Sequence, residues 1–270
     1  MTLQGTNTYL IGSGKERILI DTGDEDVPEY INSLQKVLKD ENAGIRDILL
    51  THWHHDHVGG VKDVLKINPN QNCKVWKFPR YSHEPQDCPE IPENIKIYPL
   101  IDGQEFSVDG ASMKVLYTPG HTSDHVCLLM EGIIFSGDCI LGEGTAVFED
   151  LFEYMKSLEH LLKIDASKIY PAHGNIIPEA KQKIEFYIAH RKQREEDILK
   201  VFNANPSQKY SAMDLVKIIY KETPENLWLA AAHNVTLVLK KLEKENKLVV
   251  CKGNEDEGPF WKLSGEHSRL

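Results

Sequence analysis

The sequence predicts an α/β fold for the first part of the chain and a small helical, winged-helix-like domain after it. Short apolar, β-rich runs separated by glycine and proline extend to about Pro171, and charged helical stretches dominate beyond Pro178. Several of the apolar runs end in aspartate or histidine, which is typical of a sheet with a site at its edge. We predict one domain over residues 1–195 and a second over residues 196–270.

The first predicted elements are a β-hairpin and a helix. Strand-like runs at residues 8–12 and 17–21 flank the segment Gly12-Ser-Gly-Lys15. That segment lacks the full pattern of a phosphate-binding loop, so we interpret it as a turn. Apolar residues then recur with a helical period from Ile31 to Leu38.

The C-terminal part predicts three helices and a closing hairpin. Residues 184–202 have an interrupted apolar helical face, and residues 235–242 have the spacing of an amphipathic helix. Between them, Ser211 is placed to cap a helix together with Asp214. Strand-like runs within residues 247–263 complete the winged-helix pattern.

Composition and charge exclude several classes of protein. The 270 residues contain no window near the about 20 uninterrupted apolar residues of a membrane span, and residues 1–8 show no signal or transit peptide. We therefore expect no membrane partner. The formal net charge of −10 opposes capture of polyanions over long range, which argues against a general nucleic-acid coating protein.

The cysteines indicate neither a disulfide framework nor a cysteine-rich zinc site. They are five in number, widely spaced and without a Cys-x-x-Cys pair: Cys73, Cys88, Cys127, Cys139 and Cys251. This pattern favours a reducing compartment.

Five of the β-rich runs end in a residue that can bind a metal ion. These residues are Asp21, His52, His121, Asp138 and His173. Neighbouring strand ends of a sheet lie roughly 5 Å apart, so the side chains can converge on one site. Imidazoles and carboxylates without thiolates favour zinc, with iron or manganese as alternatives.

The histidine-rich segment THWHHDHVGG divides into two pairs of ligands. His52 and His54 alternate on an extended segment and point the same way, whereas Asp56 and His57 belong to the turn that enters the next element. One pair can therefore bind one ion and the other pair a second ion. Each ion still lacks ligands, which His121, Asp138 and His173 can supply: one imidazole for each ion and a carboxylate with two oxygens.

This ordered set of residues resembles the ligand motif of the metallo-β-lactamase superfamily. The resemblance covers the chain up to about His173 and implies an αββα sandwich with the site at one edge. It implies that the first metal ion is bound by His52, His54 and His121, the second by Asp56, His57 and His173, and that Asp138 bridges them. Asp21 would support these ligands from the end of its strand.

A closer resemblance extends over nearly the whole chain. It is carried by Gly5-Thr-Asn-Thr-Tyr-Leu, by Ser136-Gly-Asp-Cys-Ile-Leu-Gly-Glu-Gly-Thr145, by Phe148-Glu-Asp-Leu and by the C-terminal segment. These stretches are similar to the β-lactamase-like protein 2 family of endoribonucleases. That family implies two Zn²⁺ ions per chain, single-stranded RNA as the partner and the mitochondrial matrix as the location. Its members carry a stretch before Met1 that contributes a first strand.

The metal site by itself predicts hydrolysis and leaves the substrate open. Two cations that share a water lower its pKa from near 16 towards about 7. We predict Asp56 and Asp138 as catalytic residues and single-stranded RNA as the substrate. The alternatives are a thioester hydrolase of the hydroxyacylglutathione type, a lactamase, a persulfide dioxygenase, and a binding or scaffold protein without catalysis.

Other residues near the motif have non-ligand interpretations. We expect His55 to face solvent or a loop carbonyl, His125 to orient a loop or a ligand, and Cys139 to be a small buried residue. Histidines without a partner pattern are interpreted as surface or packing residues: His83, His160, His233 and His267.

The densest basic run is His190-Arg-Lys-Gln-Arg194. Arg191 and Arg194 have i, i+3 spacing and therefore share a helical face, where we predict that they bind substrate phosphates. The alternative is a solvated helix surface on which they pair with Glu195 and Glu196.

Overall fold

The computed structural model describes residues 5–81, 83–84, 91–251 and 258–265. Within these ranges, two five-stranded sheets lie face to face. The first contains β1 (Tyr9–Ile11), β2 (Glu16–Ile20), β3 (Gly44–Leu50), β4 (Lys74–Lys77) and β5 (Ile97–Pro99), in that order. β1 pairs antiparallel with β2, as the predicted hairpin requires, and the other neighbours are parallel.

The second sheet is mainly antiparallel. It contains β6 (Glu105–Val108), β7 (Ala111–Tyr117), β8 (Val126–Met130), β9 (Ile133–Gly137) and β10 (Lys168–Pro171). Consecutive strands β6 to β9 form an antiparallel meander, and β10 adds to β9 in parallel. The predicted strand ends therefore belong to two sheets and not to a single one.

Helices cover the outer face of each sheet. On the first sheet these are α1 (Pro28–Asp40), α2 (His55–Val58) and α3 (Val61–Ile67); on the second, α4 (Leu151–Leu162) and α5 (Ala180–Ala204). The predicted helix over residues 31–38 is confirmed by α1. The order of layers is that of the predicted αββα sandwich.

The core explains the apolar run Ile18-Leu-Ile20 at the end of β2. Ile18 and Ile20 pack with side chains of the second sheet, and Leu19 packs with residues of α1 and α3. All three are essentially inaccessible. A strand segment that is covered on both faces favours apolar side chains at successive positions, and this run ends immediately before Asp21.

The C-terminal domain has the predicted composition of helices and a hairpin. It contains α6 (Ala212–Ile219), a 3₁₀ turn (Glu225–Leu227), α7 (Trp228–Lys244) and the antiparallel pair β11 (Leu248–Cys251) and β12 (Phe260–Leu263). Ser211 and Asp214 form the predicted capping box. A domain boundary between residues 195 and 196 would cut α5, which is continuous and shares one apolar cluster with α4 and α7.

Four cysteines lie in the described residues as free thiols: Cys73, Cys127, Cys139 and Cys251. Cys88 and His267 lie outside the described residues. None of the helices in the described ranges combines the length and hydropathy of a membrane-spanning segment.

Candidate metal centre

The predicted ligands meet at one edge of the sandwich, where strands of both sheets end. β3 leads into His52 and His54, and the short helix α2 carries Asp56 and His57. The remaining ligands follow strands of the second sheet: His121 after β7, Asp138 after β9 and His173 after β10. The structure brings all seven predicted ligands together in two groups, each compact enough to hold a metal ion.

The first group consists of three imidazoles and one carboxylate. Nε2 of His52 lies 2.9 Å from Nδ1 of His54, and Nε2 of His121 lies 3.2 Å and 3.1 Å from these two nitrogens. Asp138 completes the group, with Oδ2 3.6 Å from Nε2 of His121. Three ring nitrogens of neutral imidazoles facing one another repel as lone pairs, and a cation between them removes that repulsion.

The second group combines Asp56, His57 and His173. Nε2 of His173 lies 3.2 Å from Oδ2 of Asp56, and Nε2 of His57 lies 3.7 Å from the same oxygen. Both imidazoles also face Oδ1 of Asp138, at 3.2 Å from His173 and 3.6 Å from His57. The two oxygens of Asp138 are thus directed to different groups, as a bridging carboxylate requires.

Unsatisfied buried atoms provide a test of whether these residues fit metal ions. Nε2 of His57, Oδ1 of Asp138 and Nε2 of His173 are buried and have no hydrogen-bond partner of acceptable geometry. Buried polar atoms without partners are rare in folded proteins because each costs about 1–3 kcal/mol. Here all three point into the same space, so the donor set fits two cations, with imidazole and carboxylate ligands suited to zinc or iron.

Asp21 orients ligands of both groups through contacts on the Nδ1 side of their imidazole rings, directly for His57 and through Thr51 for His52. Its carboxylate accepts hydrogen bonds from Thr51 N at 2.8 Å and Thr51 Oγ1 at 2.9 Å, and its Oδ2 lies 2.8 Å from Nδ1 of His57. Nδ1 of His52 lies 3.0 Å from the same Thr51 hydroxyl. These contacts occupy the Nδ1 side of both rings and leave Nε2 of each ring for a metal ion.

Backbone carbonyls orient the other two imidazoles. His121 donates from Nδ1 to the carbonyl of Val147 at 2.8 Å, and His173 donates from Nδ1 to the carbonyl of Gly5 at 2.9 Å. In addition, Thr6 Oγ1 donates to Oδ2 of Asp56 at 3.0 Å. The N-terminal segment, which carries none of the predicted ligands, and the loop after β9, which begins with Asp138, therefore both help to form the metal centre.

His125 is not a ligand and instead positions Asp138. Its Nε2 accepts a hydrogen bond from the backbone N–H of Asp138 at 3.1 Å, and its Nδ1 donates to Thr118 Oγ1 at 3.0 Å. A Cβ on Gly137, which has φ +48°, would lie 2.7 Å from His125 Nε2. The glycine allows the imidazole to reach the strand end, in agreement with the predicted orienting role of His125.

Environment keeps the imidazoles of the first group neutral. Burial lowers the pKa of His52 well below its usual range, and the nearby His57 and His121 lower it further. Burial also lowers the pKa of His54 to about 4 and lowers that of His121. At neutral pH these three rings present lone pairs and need no deprotonation to bind a metal ion.

The imidazoles of the second group behave in the opposite way. Burial would lower the pKa of His173, but contacts with Asp138 and Asp56 raise it to about 10. Burial would likewise lower the pKa of His57, and Asp21 outweighs it. Conversely, burial would raise the pKa of Asp138 and Asp56, but His173 lowers it, to about 2 for Asp138.

The other predicted residues occupy ordinary positions. The His55 side chain is 57% exposed, and its Nδ1 lies 3.0 Å from Oδ1 of Asp24, so it faces solvent and a carboxylate instead of a loop carbonyl. Cys139 is fully buried, as predicted. His83 and His233 are exposed on the surface.

A buried ion pair near the first group was not predicted from the sequence. Nζ of Lys77, at the end of β4, donates to Oδ2 of Asp124 at 2.6 Å, and Thr122 donates to Oδ1 of Asp124 at 2.7 Å. This pair anchors the loop that carries His121. The available signals in the sequence were Lys77 at the end of the run Lys74-Val-Trp-Lys77 and Asp124 beside His125.

Arg191 and Arg194 do not form the exposed pair that the sequence predicted. Arg191 is buried, donates from Nη2 to the carbonyl of Ala146 at 2.7 Å and has Cζ 4.8 Å from the ring centre of Phe148. Arg194 is exposed over Tyr220. The expectation that both guanidinium groups are free to bind phosphates is therefore corrected, because Arg191 is already engaged with the loop after β9.

Comparison with known sequences agrees with this arrangement. Residues 1–173 match the sequence profile of the metallo-beta-lactamase superfamily, and residues 211–254 match that of the beta-lactamase associated winged helix domain. A relative from Drosophila melanogaster, named Beta-lactamase-like protein 2 homolog, is 61% identical over 95% of this chain and 88% of its own length. An atrochrysone carboxyl ACP thioesterase from Cryptosporiopsis sp. is 38% identical over 77% of this chain and 61% of its own length.

Solved structures share the architecture. A beta-lactamase domain protein from Burkholderia ambifaria superposes with a TM-score of 0.75 at 18% identity, over 96% of this chain and 87% of that chain. A second structure, described as a di-iron-bound form, superposes with a TM-score of 0.51 at 28% identity, over 67% of this chain and 95% of that chain.

Proposed function

We propose that this chain, which belongs to the metallo-beta-lactamase superfamily of hydrolases, is a zinc-dependent endoribonuclease that cleaves phosphodiester bonds in single-stranded RNA. One observation carries the proposal: a complete donor set for two metal ions, joined by Asp138, lies in a chain whose winged-helix domain packs on the same sandwich. The resemblance to the β-lactamase-like protein 2 family, which implies single-stranded RNA as the substrate, supports the proposal, and relatives of that name match over 95% and 90% of this chain.

The chemistry divides between the ions and the residues. When bound, two metal ions lower the pKa of a water and neutralise charge on the substrate's non-bridging oxygen. Asp138 holds the two ligand groups at a fixed separation because each of its oxygens faces one group. Asp56 is the most exposed carboxylate of the centre and is held by Thr6, so it lies where a substrate would enter.

Zinc is the proposed metal because imidazole-rich sites without thiolates favour it. Iron is the main competitor, since a similar structure is described as a di-iron-bound form. Elemental analysis of the purified protein, followed by reconstitution of the metal-free protein with each metal, decides between them. Recovery of activity with iron and not with zinc would remove zinc from the proposal.

A second candidate function is hydrolysis of thioesters. It is favoured by the relative named as an acyl carrier protein thioesterase. The metal centre does not discriminate, because the same activated water attacks a thioester carbonyl or a phosphodiester phosphorus.

The decisive experiment offers the purified protein four substrates in parallel: single-stranded RNA, duplex RNA, lactoylglutathione and an acyl-pantetheine thioester. We expect turnover of single-stranded RNA that a chelator abolishes and added zinc restores. Turnover of a thioester, with no cleavage of either RNA, would establish the second candidate instead.

A further inference from the structure

A cleft lies between the sandwich and the C-terminal domain. Its volume is about 450 Å³, and it is bounded by the loop after β9, by α5 and by α7. Thr145 and Phe148 of the loop, His190 and Arg194 of α5, and Asn234 of α7 line its walls. Both domains are needed to form it.

Positive charge in this cleft is not balanced by carboxylates. Among the described residues its walls include Arg191 and Arg194 but no aspartate or glutamate, whereas four other cavities of the molecule each include acidic residues. Glu195, the expected partner of the arginines, is paired with Lys241 at 2.8 Å instead. In a chain with a net charge of −10, uncompensated guanidinium groups favour an anionic ligand.

Free hydrogen-bonding capacity also collects at the cleft. Nδ1 of His190 and Nε of Arg191 are buried and have no hydrogen-bond partner in the described part of the chain. The exposed Arg194 places Cζ 5.3 Å from the ring centre of Tyr220, and its guanidinium carries five N–H donors that an anion can accept. Burial and the charges of the two arginines lower the pKa of His190, as expected for an imidazole facing uncompensated cations.

The remaining walls are apolar and aromatic. They include Tyr220, Leu227 and the α7 residues Ala230, Ala231 and Val235. A ligand with a phosphate next to Arg194 would therefore place the rest of its atoms against flat or apolar side chains. A nucleotide has this combination of an anionic phosphate and a base that stacks on aromatic side chains.

The cleft and the metal centre share a loop. Val147 accepts the hydrogen bond from His121, and the next residue, Phe148, lines the cleft. Arg191 holds this loop through the carbonyl of Ala146. Consecutive residues of one loop thus contact the metal centre and the cleft. This arrangement suits a polymeric substrate that occupies both sites at once.

We propose that this cleft binds a nucleotide of the RNA strand beside the bond to be cleaved, with its phosphate on Arg194 and its base against Tyr220 and α7. This inference rests on the proposed endoribonuclease function and deepens it. Arg191 is a positioning residue, because it holds the loop between the cleft and the metal centre and is not free to bind phosphate.

The test compares two substrates of the zinc-loaded protein. One is a single-stranded oligoribonucleotide, and the other is bis(p-nitrophenyl) phosphate, which is too small to span the metal centre and the cleft. Arg194→Ala should lower kcat/KM for the oligoribonucleotide about tenfold relative to that for the small diester, mainly through KM. It should also reduce the slope of log(kcat/KM) against log[salt] by about 1.

Two further variants distinguish binding in the cleft from a general effect of positive charge on RNA binding. Ala230→Phe fills the cleft without changing charge and should raise KM for the oligoribonucleotide selectively. Lys192→Ala removes a positive charge from α5 on the side that faces α4, where Lys192 lines a different cavity, and should behave as the unmodified protein.

The outcomes are distinguishable. If the unmodified protein cleaves RNA but Arg194→Ala and Ala230→Phe match Lys192→Ala, the cleft proposal is wrong and the proposed function stands. If RNA is not cleaved and Arg194→Ala instead raises KM for an acyl-pantetheine thioester, both proposals fail and the cleft belongs to thioester binding.

Discussion

The imidazoles of the two ligand groups of the metal centre have pKa values that are shifted in opposite directions. In the first group, burial lowers the pKa of His52, His54 and His121. In the second, neighbouring carboxylates raise the pKa of His57 and His173. His52 and His57 are both fully buried, so their opposite pKa shifts arise from the charges around each ring and not from a difference in burial.

This difference predicts an order of metal binding. The first group presents neutral imidazoles at pH 7, whereas His173 with a pKa of about 10 must lose a proton before it can bind a metal ion. The first ion thus competes with few protons, and the second competes with at least one. Asp138 belongs to both groups and couples them.

Removing Asp138 tests the coupling and should have the largest effect. Asp138→Ala takes away a ligand that faces both groups, so we expect a loss of at least about a thousandfold in turnover and fewer than two ions per chain. Turnover and elemental analysis measure this. His55→Ala, which changes an exposed side chain of the same motif, is the matched control and should keep both activity and metal content.

Changing pH tests the difference in protonation. Between pH 7 and about 10, affinity for the second ion should rise about tenfold per pH unit for each proton displaced, because metal binding must deprotonate His173. Affinity for the first ion should hardly change, since the pKa of His54 is about 4 and those of His52 and His121 are lowered. Metal-buffered titrations at several pH values report both constants, and equal pH slopes would contradict the assignment.

The stability of the metal-free protein should fall as the pH rises, whereas the affinity for the second ion should rise. The pKa of His173 rises from 6.5 to about 10 on folding, so its contribution is complete below pH 6.5 and is lost as the pH rises through about 10. Thermal unfolding of chelated protein should therefore show a falling Tm over this range, while metal affinity rises.

Replacing Asp21 should weaken the second group more than the first. Asp21→Ala removes the partner of His57 Nδ1 and of Thr51, so we expect a loss of about 10- to 100-fold in affinity for the second ion. The first ion should lose less, because His52 is reached only through the Thr51 hydroxyl. A larger loss at the first ion would show that Thr51 orients His52 more strongly than Asp21 orients His57.

Replacing His125 should have a smaller effect than replacing Asp138 or Asp21. His125→Ala leaves the backbone N–H of Asp138 without its acceptor, so we expect about tenfold weaker metal binding shared by both groups. His125→Asn, which retains a hydrogen-bonding side chain, should recover part of this loss. If His125→Ala lowers Tm but leaves metal affinity unchanged, His125 is only a packing residue.

The sequence by itself predicted which side chains meet at the edge of the sandwich, the first hairpin and the capping of α6. Each depends on residues that lie close together in the sequence. Buried strands are followed by Asp21 and by His52, and Ser211 lies three residues before Asp214. Spacing also separated His52 and His54 from Asp56 and His57, because extended and helical segments direct alternate side chains differently.

Only the tertiary structure decided how these residues act. The distribution of strand ends over two sheets, the burial of Arg191 against the loop after β9 and the contact of His125 with Asp138 all join residues that are distant in sequence. The opposite pKa shifts of His52 and His173 arise in the same way. A pKa depends on which charges and dipoles lie within a few ångströms, and that neighbourhood exists only after the chain has folded.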